Sequence, residues 1–288
     1  MQDHMRLIER LSLSDKPLSK GQKRIAEFIA LHPEKAGSMT AAMLGSQCGV
    51  SESTVVRFAV ALGYEGYPEL QEKLRSLVRQ QLTAEQRFDL MGTMGPEEVL
   101  PTVLKNDLQN MRKTMEELSR KDFDLAVDAL LHAKRIYVMG LRSSAPLAQF
   151  LYHYLHQILE DVVLVQNTTG DVLEEIERIG PEDVLFSISF PRYSSRTLEC
   201  VRFARQNGAK IIGMTDGEMS PLKELSHLCL LAHTDMIGFV DSLAAPLSLI
   251  NALVIAIGMS RRGELEEHFK RLEGIWNAHS VYIDNAHE

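Results

Sequence analysis

Two short stretches gather hydroxyls and guanidiniums where an anion could be held. "VMGLRSSAPLA" carries Gly140, Arg142, Ser143 and Ser144 just ahead of Pro146, and "SISFPRYSSRT" carries Ser189, Arg192, Ser194, Ser195 and Thr197. Each follows an apolar β-branched run and opens a helical pattern. The hydroxyls therefore sit beside a helix N-terminus, where free amides and the positive end of the dipole attract phosphate or carboxylate. The same serines also read as ordinary helix caps with solvated arginines nearby. A third polar group lies in "CGVSESTVVRFAVALG", where Ser51, Ser53, Thr54 and Arg57 lead a short amphipathic helix and Thr40 stands ahead of the preceding one. Hydroxyls and amides at such a position suit DNA phosphates, and an arginine on the same face reaches a guanine edge or a phosphate.

The elements that must hold these groups are legible from period and punctuation. In "LSKGQKRIAEFIALHP", Ser19 and Gln22 stand in capping-box spacing, Ile25, Phe28 and Ile29 share a face, and Pro33 is the stop. Thr40 is expected to cap "AAMLGSQC", Gly49 to take the left-handed position after it, and Ser51 to cap the next helix, with Val50 and Val55 at hydrophobic-staple spacing. Val55, Phe58, Ala59 and Leu62 form that helix's apolar stripe, Gly63 ends it, and Pro68 falls in the first turn of a fourth. A short helix, a glycine turn and a second helix with polar residues at its front is a helix-turn-helix layout. From Leu82 to about Lys121 the pattern loosens into a turn-rich, partly helical linker. Beyond it, "RIYVMG", "VVLVQ", "DVLFSISF", "KIIGMTD" and "LCLLAH" alternate with helical stretches such as "APLAQFLYHYLHQILE", which predicts a parallel sheet with helices on both faces.

Composition limits the partners. The chain has 288 residues, 45% of them hydrophobic and 24% charged, with a net charge of −8. The first 80 residues hold 11 basic and 9 acidic groups, a balance of +2, and the remainder holds 20 basic against 30 acidic, −10. A small basic domain on an acidic protein is compatible with nucleic-acid binding. Cys48, Cys200 and Cys229 are scattered and odd in number, which predicts reduced thiols, a cytoplasmic setting, no disulfide frame and no metal site. The polar, mixed-charge start "MQDHMRLIER" lacks the pattern of a signal peptide. "SLAAPLSLINALVIAIGMS" approaches spanning length, but Pro246, Asn251 and its serines favour a buried or dimer-facing helix over a membrane span.

Read residue by residue, "GVSESTVVRF" followed by "LGYEGYPEL" resembles the N-terminal domain of the RpiR/MurR family of bacterial transcriptional regulators, and the likeness extends back through "LSKGQKRIAEFIALHPE". From about Asp122 to Gly263 the chain resembles a sugar isomerase (SIS) domain, the effector domain of that family. The family patterns G-x-G-x-S and S-x-S-G-x-[ST] are matched at Gly140 and Ser144 and at Ser189 and Ser194. Arg142 stands in place of the second glycine of the first pattern, and Pro191-Arg192 in place of the Ser-Gly pair of the second. The resemblance implies an all-α helix-turn-helix domain at 1–80, a helical linker at 81–121, and at 122–288 a SIS domain, a doubly wound, flavodoxin-like α/β fold with a five-stranded parallel sheet. It implies binding of operator DNA through Thr40, Ser51, Ser53, Thr54 and Arg57. It also implies an effector, a phosphorylated sugar or related acidic metabolite, held by Arg142, Ser143, Ser144, Ser189, Arg192, Ser194, Ser195 and Thr197. The two added guanidiniums point to an effector richer in negative charge than a simple hexose phosphate. A homodimer or tetramer is expected, with no cofactor.

The competing reading is a sugar-phosphate isomerase, which needs a general base beside C1 and C2 of the sugar and often a histidine. Glu199, His153 and His156 are the residues available near the two loops, and they form no recognisable acid/base pair in the sequence. No catalytic residue is therefore assigned. A third reading is a dimerisation domain with an unused pocket.

Overall fold

In the computed structural model, residues 18–71, 74, 78, 83–89, 92, 94–166, 170–218 and 220–282 are described, and they fall into two units, Met1–Leu90 and Met91–Glu288. The opening stretch "MQDHMRLIER" lies outside the described residues.

The first unit is built from α1 (Lys20–Leu31), α2 (Pro33–Ser38), α3 (Ala41–Cys48) and α4 (Glu52–Ala61), followed by helical residues at 67–71 and by α5 (Ala84–Asp89). The Ser19–Gln22 capping box opens α1, with the Ser19 hydroxyl accepting from the Gln22 amide and the Gln22 side chain accepting from the Ser19 amide. Pro33 does more than end α1, because it also takes the first position of α2, where its missing N–H costs nothing. Ile25, Ile29, Leu44, Val55, Phe58 and Leu70 fill the core between the helices. The turn between α3 and α4 rests on two glycines. Gly49 adopts φ 62°, open to glycine at little cost. A Cβ on Gly45 would lie 2.9 Å from the Val50 carbonyl oxygen, so α3 can approach the turn only with glycine there. Arg24 donates to the Gly49 carbonyl at 3.0 Å and ties α1 to the same turn.

The second unit begins with α6 (Pro96–Glu117) and α7 (Arg120–Leu131). Then come β1 (Ile136–Gly140), α8 (Ala145–Ile158), β2 (Val162–Val165), α9 (Val172–Glu175), β3 (Val184–Ile188), α10 (Ser195–Gln206), β4 (Lys210–Thr215), α11 (Pro221–Leu225), β5 (Leu228–Leu231), α12 (Ala244–Ser260) and α13 (Arg262–Ala278). The expected linker thus contains a regular 22-residue helix, α6, that packs on α12.

The five strands are all parallel, in the order β2-β1-β3-β4-β5. Alternate residues go to opposite cores, as a sheet covered on both faces requires. Ile136, Val138, Val184, Phe186 and Ile212 pack with α7, α8 and α12, while Tyr137, Met139, Leu185 and Ile211 pack with α9, α10 and α11. Gly140 ends β1 where a Cβ would lie 2.6 Å from the Ser144 carbonyl oxygen, and this lets the following loop fold back tightly on the strand. Among the described residues no single helix is long and apolar enough to cross a membrane, and α12 buries Leu249, Ile250, Leu253 and Ile257 in the larger core.

Gly45→Ala is expected to destabilise the first unit by about 1–3 kcal/mol, in the range of overpacking against rigid backbone. Thermal unfolding of the full chain checks this. An unchanged transition for the helical unit would mean that the turn relaxes freely.

Candidate functional site: a recognition helix and a strand-end crevice

At the head of α4 the predicted cap takes another form. Ser51 occupies the N-cap position in extended conformation, yet its hydroxyl makes no bond to a helix amide. Instead Ser51 Oγ lies 2.9 Å from both Ser53 Oγ and Thr54 Oγ1, and Arg57 Nη2 donates to Thr54 Oγ1 at 3.4 Å. Three hydroxyls and a guanidinium are thus linked at the helix front; the Thr54 amide donates to the Ser51 carbonyl at 2.9 Å, and among the described residues the Glu52 and Ser53 amides keep their capacity for an anion. Thr40 behaves as a conventional cap, its Oγ1 accepting from the Met43 amide at 3.3 Å, and it has no hydrogen bond to the Ser51 group. Val56 and Val60, exposed on the same face as Ser53 and Arg57, were not singled out from sequence. Two apolar side chains beside an arginine could meet the methyl groups of thymines in a major groove. The signal was the doublet Val55-Val56, of which only Val55 enters the core.

The second site arises from strand order. β1 and β3 are neighbours in register, with Gly140 opposite Ile188, so their following loops leave side by side. α8 then packs on one face of the sheet and α10 on the other, which makes this the switch point where open α/β sheets take ligands in a crevice at the carboxyl ends of their strands. Both predicted loops border it.

Within these loops Arg142 has φ 57° and Arg192 φ 65°. The positions where the family patterns carry glycine thus keep a glycine-like backbone while bearing guanidiniums, at a cost of about 1–2 kcal/mol each. Both arginines are exposed, and neither forms an ion pair or side-chain hydrogen bond among the described residues. Ser144 and Ser189 are each 4% exposed, and their hydroxyls have no hydrogen-bond partner among the described residues. Ser194 caps α10, accepting from the amide of buried Thr197 at 3.4 Å, so here the ordinary capping reading holds. Ser143 and Ser195 are exposed.

Sequence reasoning missed Tyr193 and Asp216. The Tyr193 hydroxyl donates to Asp216 Oδ1 at 2.5 Å, and Thr215 Oγ1 lies 3.2 Å from that oxygen and 2.7 Å from Ser220 Oγ. Burial pushes the Asp216 carboxyl above its ordinary range, opposed by the tyrosine hydrogen bond, and burial raises the Tyr193 phenol further. Their partnership spans 23 positions, and no local pattern announces it.

The residues considered for isomerase chemistry are engaged elsewhere. His156 stacks on Tyr152, His153 contacts Gln157 at 3.0 Å, and Glu199 pairs with Arg196 at 2.6 Å, all on helix surfaces. Among the described residues no cluster of three or more His, Cys, Asp or Glu could hold a metal ion, and the three cysteines are free.

Comparison with known proteins bears on both units. Residues 5–81 match the helix-turn-helix domain of the rpiR family, and residues 129–256 match the SIS domain. The HTH-type transcriptional regulator HexR of Pseudomonas aeruginosa is 28% identical over 279 residues, 93% of this chain and 94% of that protein. HexR of Escherichia coli is 24% identical, with 93% of each chain covered. The sugar isomerase domain of an RpiR transcription factor from Sphaerobacter thermophilus covers 61% of this chain and 98% of its own, at 22% identity and a TM-score of 0.59. The NanR protein of Vibrio vulnificus, solved in complex with ManNAc-6P, covers 95% of this chain and 97% of its own, at 19% identity and a TM-score of 0.57.

Arg142→Gly and Arg192→Gly are each expected to raise the unfolding midpoint of the sheet unit by about 2 °C. Release from the left-handed region outweighs the extra chain entropy of glycine. Calorimetry on the full chain checks this, and a lowered midpoint would show that the guanidiniums contribute stabilising contacts of their own.

Proposed function

This chain belongs to the rpiR family of helix-turn-helix proteins carrying a SIS domain, and from that premise we propose that it is a transcriptional regulator whose operator affinity answers to a small phosphorylated and acidic ligand. The first unit binds double-stranded DNA. Helix α4 enters the major groove with Ser51, Ser53, Thr54 and Arg57 toward phosphates and base edges, while Thr40 offers a hydroxyl from α3. The crevice between the β1 and β3 loops takes the effector. Ser144, Ser189 and the amides ahead of α8 and α10 suit a phosphate, with Ser143, Ser194, Ser195 and Thr197 around them.

One observation carries the ligand class: two arginines held in left-handed conformation at adjacent loops, with no ion pair among the described residues. A chain bears that cost where the side chain contributes something glycine cannot. Two guanidiniums suit a ligand with a carboxylate besides its phosphate, bound in bidentate fashion. The absorbed state of Glu199, His153 and His156 supports a sensor over an isomerase.

The regulator works as a homodimer or a multiple of it, so that two recognition helices meet half-sites about 34–36 Å apart. Exposed Ile255 and Met259 on α12 and Phe269 and Ile275 on α13 support a contact through these helices. Its setting is the cytoplasm, in keeping with bacterial DNA-binding relatives and free thiols. Ligand shifts the operator affinity only as far as it prefers one arrangement over the other.

A mobility-shift titration with the protein's own upstream DNA tests the reading, with ManNAc-6P, glucose 6-phosphate, 6-phosphogluconate and inorganic phosphate in parallel lanes. A retarded band is expected, altered by the sugar acid phosphate more than by the others. Arg57→Ala should weaken the band about 5- to 100-fold. Arg142→Ala with Arg192→Ala should leave the ligand-free band intact and remove the response. Absence of a complex at any salt concentration would overturn the DNA-binding assignment, and turnover of any panel member would restore the isomerase.

A further inference from the structure

Helix α6 is the first element of the second unit and the one that the chain enters on leaving the DNA-binding unit. Its buried residues, Asn110 and Thr114, are polar, while Leu100, Leu104, Leu108 and Met115 are exposed, and its inward face is fastened by side-chain bonds to the loop between β5 and α12. Asn106 and Asn110 both donate to the Asp235 carbonyl, at 2.6 and 2.9 Å, and Lys113 Nζ lies 3.0 Å from Asp235 Oδ2. The His233 amide donates to Thr114 Oγ1 at 2.9 Å, and its ring nitrogen lies 2.9 Å from Glu117 Oε2. These partners are 116 to 129 positions apart, so the contact is purely tertiary.

The same loop leaves the carboxyl edge of the sheet at the level of the crevice. The Ser189 amide donates to the Met214 carbonyl at 3.1 Å, and the Ala232 amide to the Thr215 carbonyl at 2.8 Å. Asp216, next in the chain after Thr215, receives the Tyr193 hydroxyl from the second crevice loop. The crevice loop, the end of β4, the end of β5 and α6 are therefore joined by consecutive hydrogen bonds.

We infer that these bonds form a relay: the position of the Arg192–Tyr193 loop is passed through Asp216 and the β5–α12 loop to the clasp on α6, and so to the helix that leads from the DNA-binding unit. The inference rests on the reading of the crevice as the effector site and adds the route by which that site acts. One feature fits α6 for two positions. Asn110 is fully buried and its Oδ1 has no partner among the described residues, so the present register leaves an acceptor unsatisfied. Such a standing cost narrows the gap to a shifted arrangement, and a relay needs an element with two discrete states.

Amide hydrogen exchange on the full-length protein, without DNA or metabolite, tests this directly. Tyr193→Phe removes one hydroxyl and leaves α6 untouched. Faster exchange across 106–117, by about 5-fold or more, with 25–61 and β1 unchanged, is the expected result. An increase confined to 190–194 and 215–220 overturns the relay. Because coupling is reciprocal, Thr114→Val should speed exchange at 190–194. If Tyr193→Phe loosens the whole unit, this second variant decides, and unchanged protection at 190–194 counts against the relay. Failure here leaves the mobility-shift result standing, and failure of that assay leaves this one readable.

Discussion

The organising constraint in the second unit is the placement of β1 beside β3. Parallel strands need crossovers, crossovers are right-handed, and a sheet that grows in both directions from its middle must send neighbouring crossovers to opposite faces. That seam is the switch point at which open α/β sheets take ligands. Register keeps Gly140 and Ile188 level, so both loops present their groups at the same height. Buried serines, capped and uncapped helix starts and the two left-handed arginines all take their positions from this seam. The β4 and β5 ends stand next to it along the same edge, which is why the hydrogen bonds of Asp216 and His233 begin where the crevice ends.

The first unit shows a different economy. Its turn is fixed by backbone: a left-handed Gly49, a Gly45 with no room for a side chain and an Arg24 bond to the turn carbonyl. With the turn held by these means, the hydroxyl at the head of α4 is not needed as a cap. Ser51 associates with Ser53 and Thr54 through its hydroxyl, and among the described residues the Glu52 and Ser53 amides are left without an acceptor. The modest positive balance of the first 80 residues, against an acidic remainder, is compatible with an anionic partner for this unit.

Local grammar made most of this legible. All five strand stretches read from β-branched runs are strands, the capping box at Ser19 and the left-handed Gly49 stand where spacing put them, and the helices after both crevice loops begin within a residue or so of their expected starts. Three things escaped. The Ser51 hydroxyl chose side-chain partners over an amide, a choice between bonds of similar strength that spacing does not resolve. Tyr193 and Asp216 looked unremarkable because each takes its meaning from the other across two strands. The polar face of α6 read as part of a linker because a helix that bonds Asn106, Asn110 and Lys113 to a distant loop has the same period as one that exposes them to water.

If the proposed effector site is right, arginine in a left-handed turn sets stability and recognition against each other at single positions. Residues 142 and 192 are where a glycine relaxes the backbone and an arginine supplies a charge, with no third residue offering both. A laboratory selection for thermal robustness, run in the absence of ligand, would enrich glycine at these two places early and be rewarded for it. The product would survive heating better and, with the proposed role of the two arginines, discriminate metabolites less well. Heat resistance alone would thus be a misleading guide to improvement in this protein.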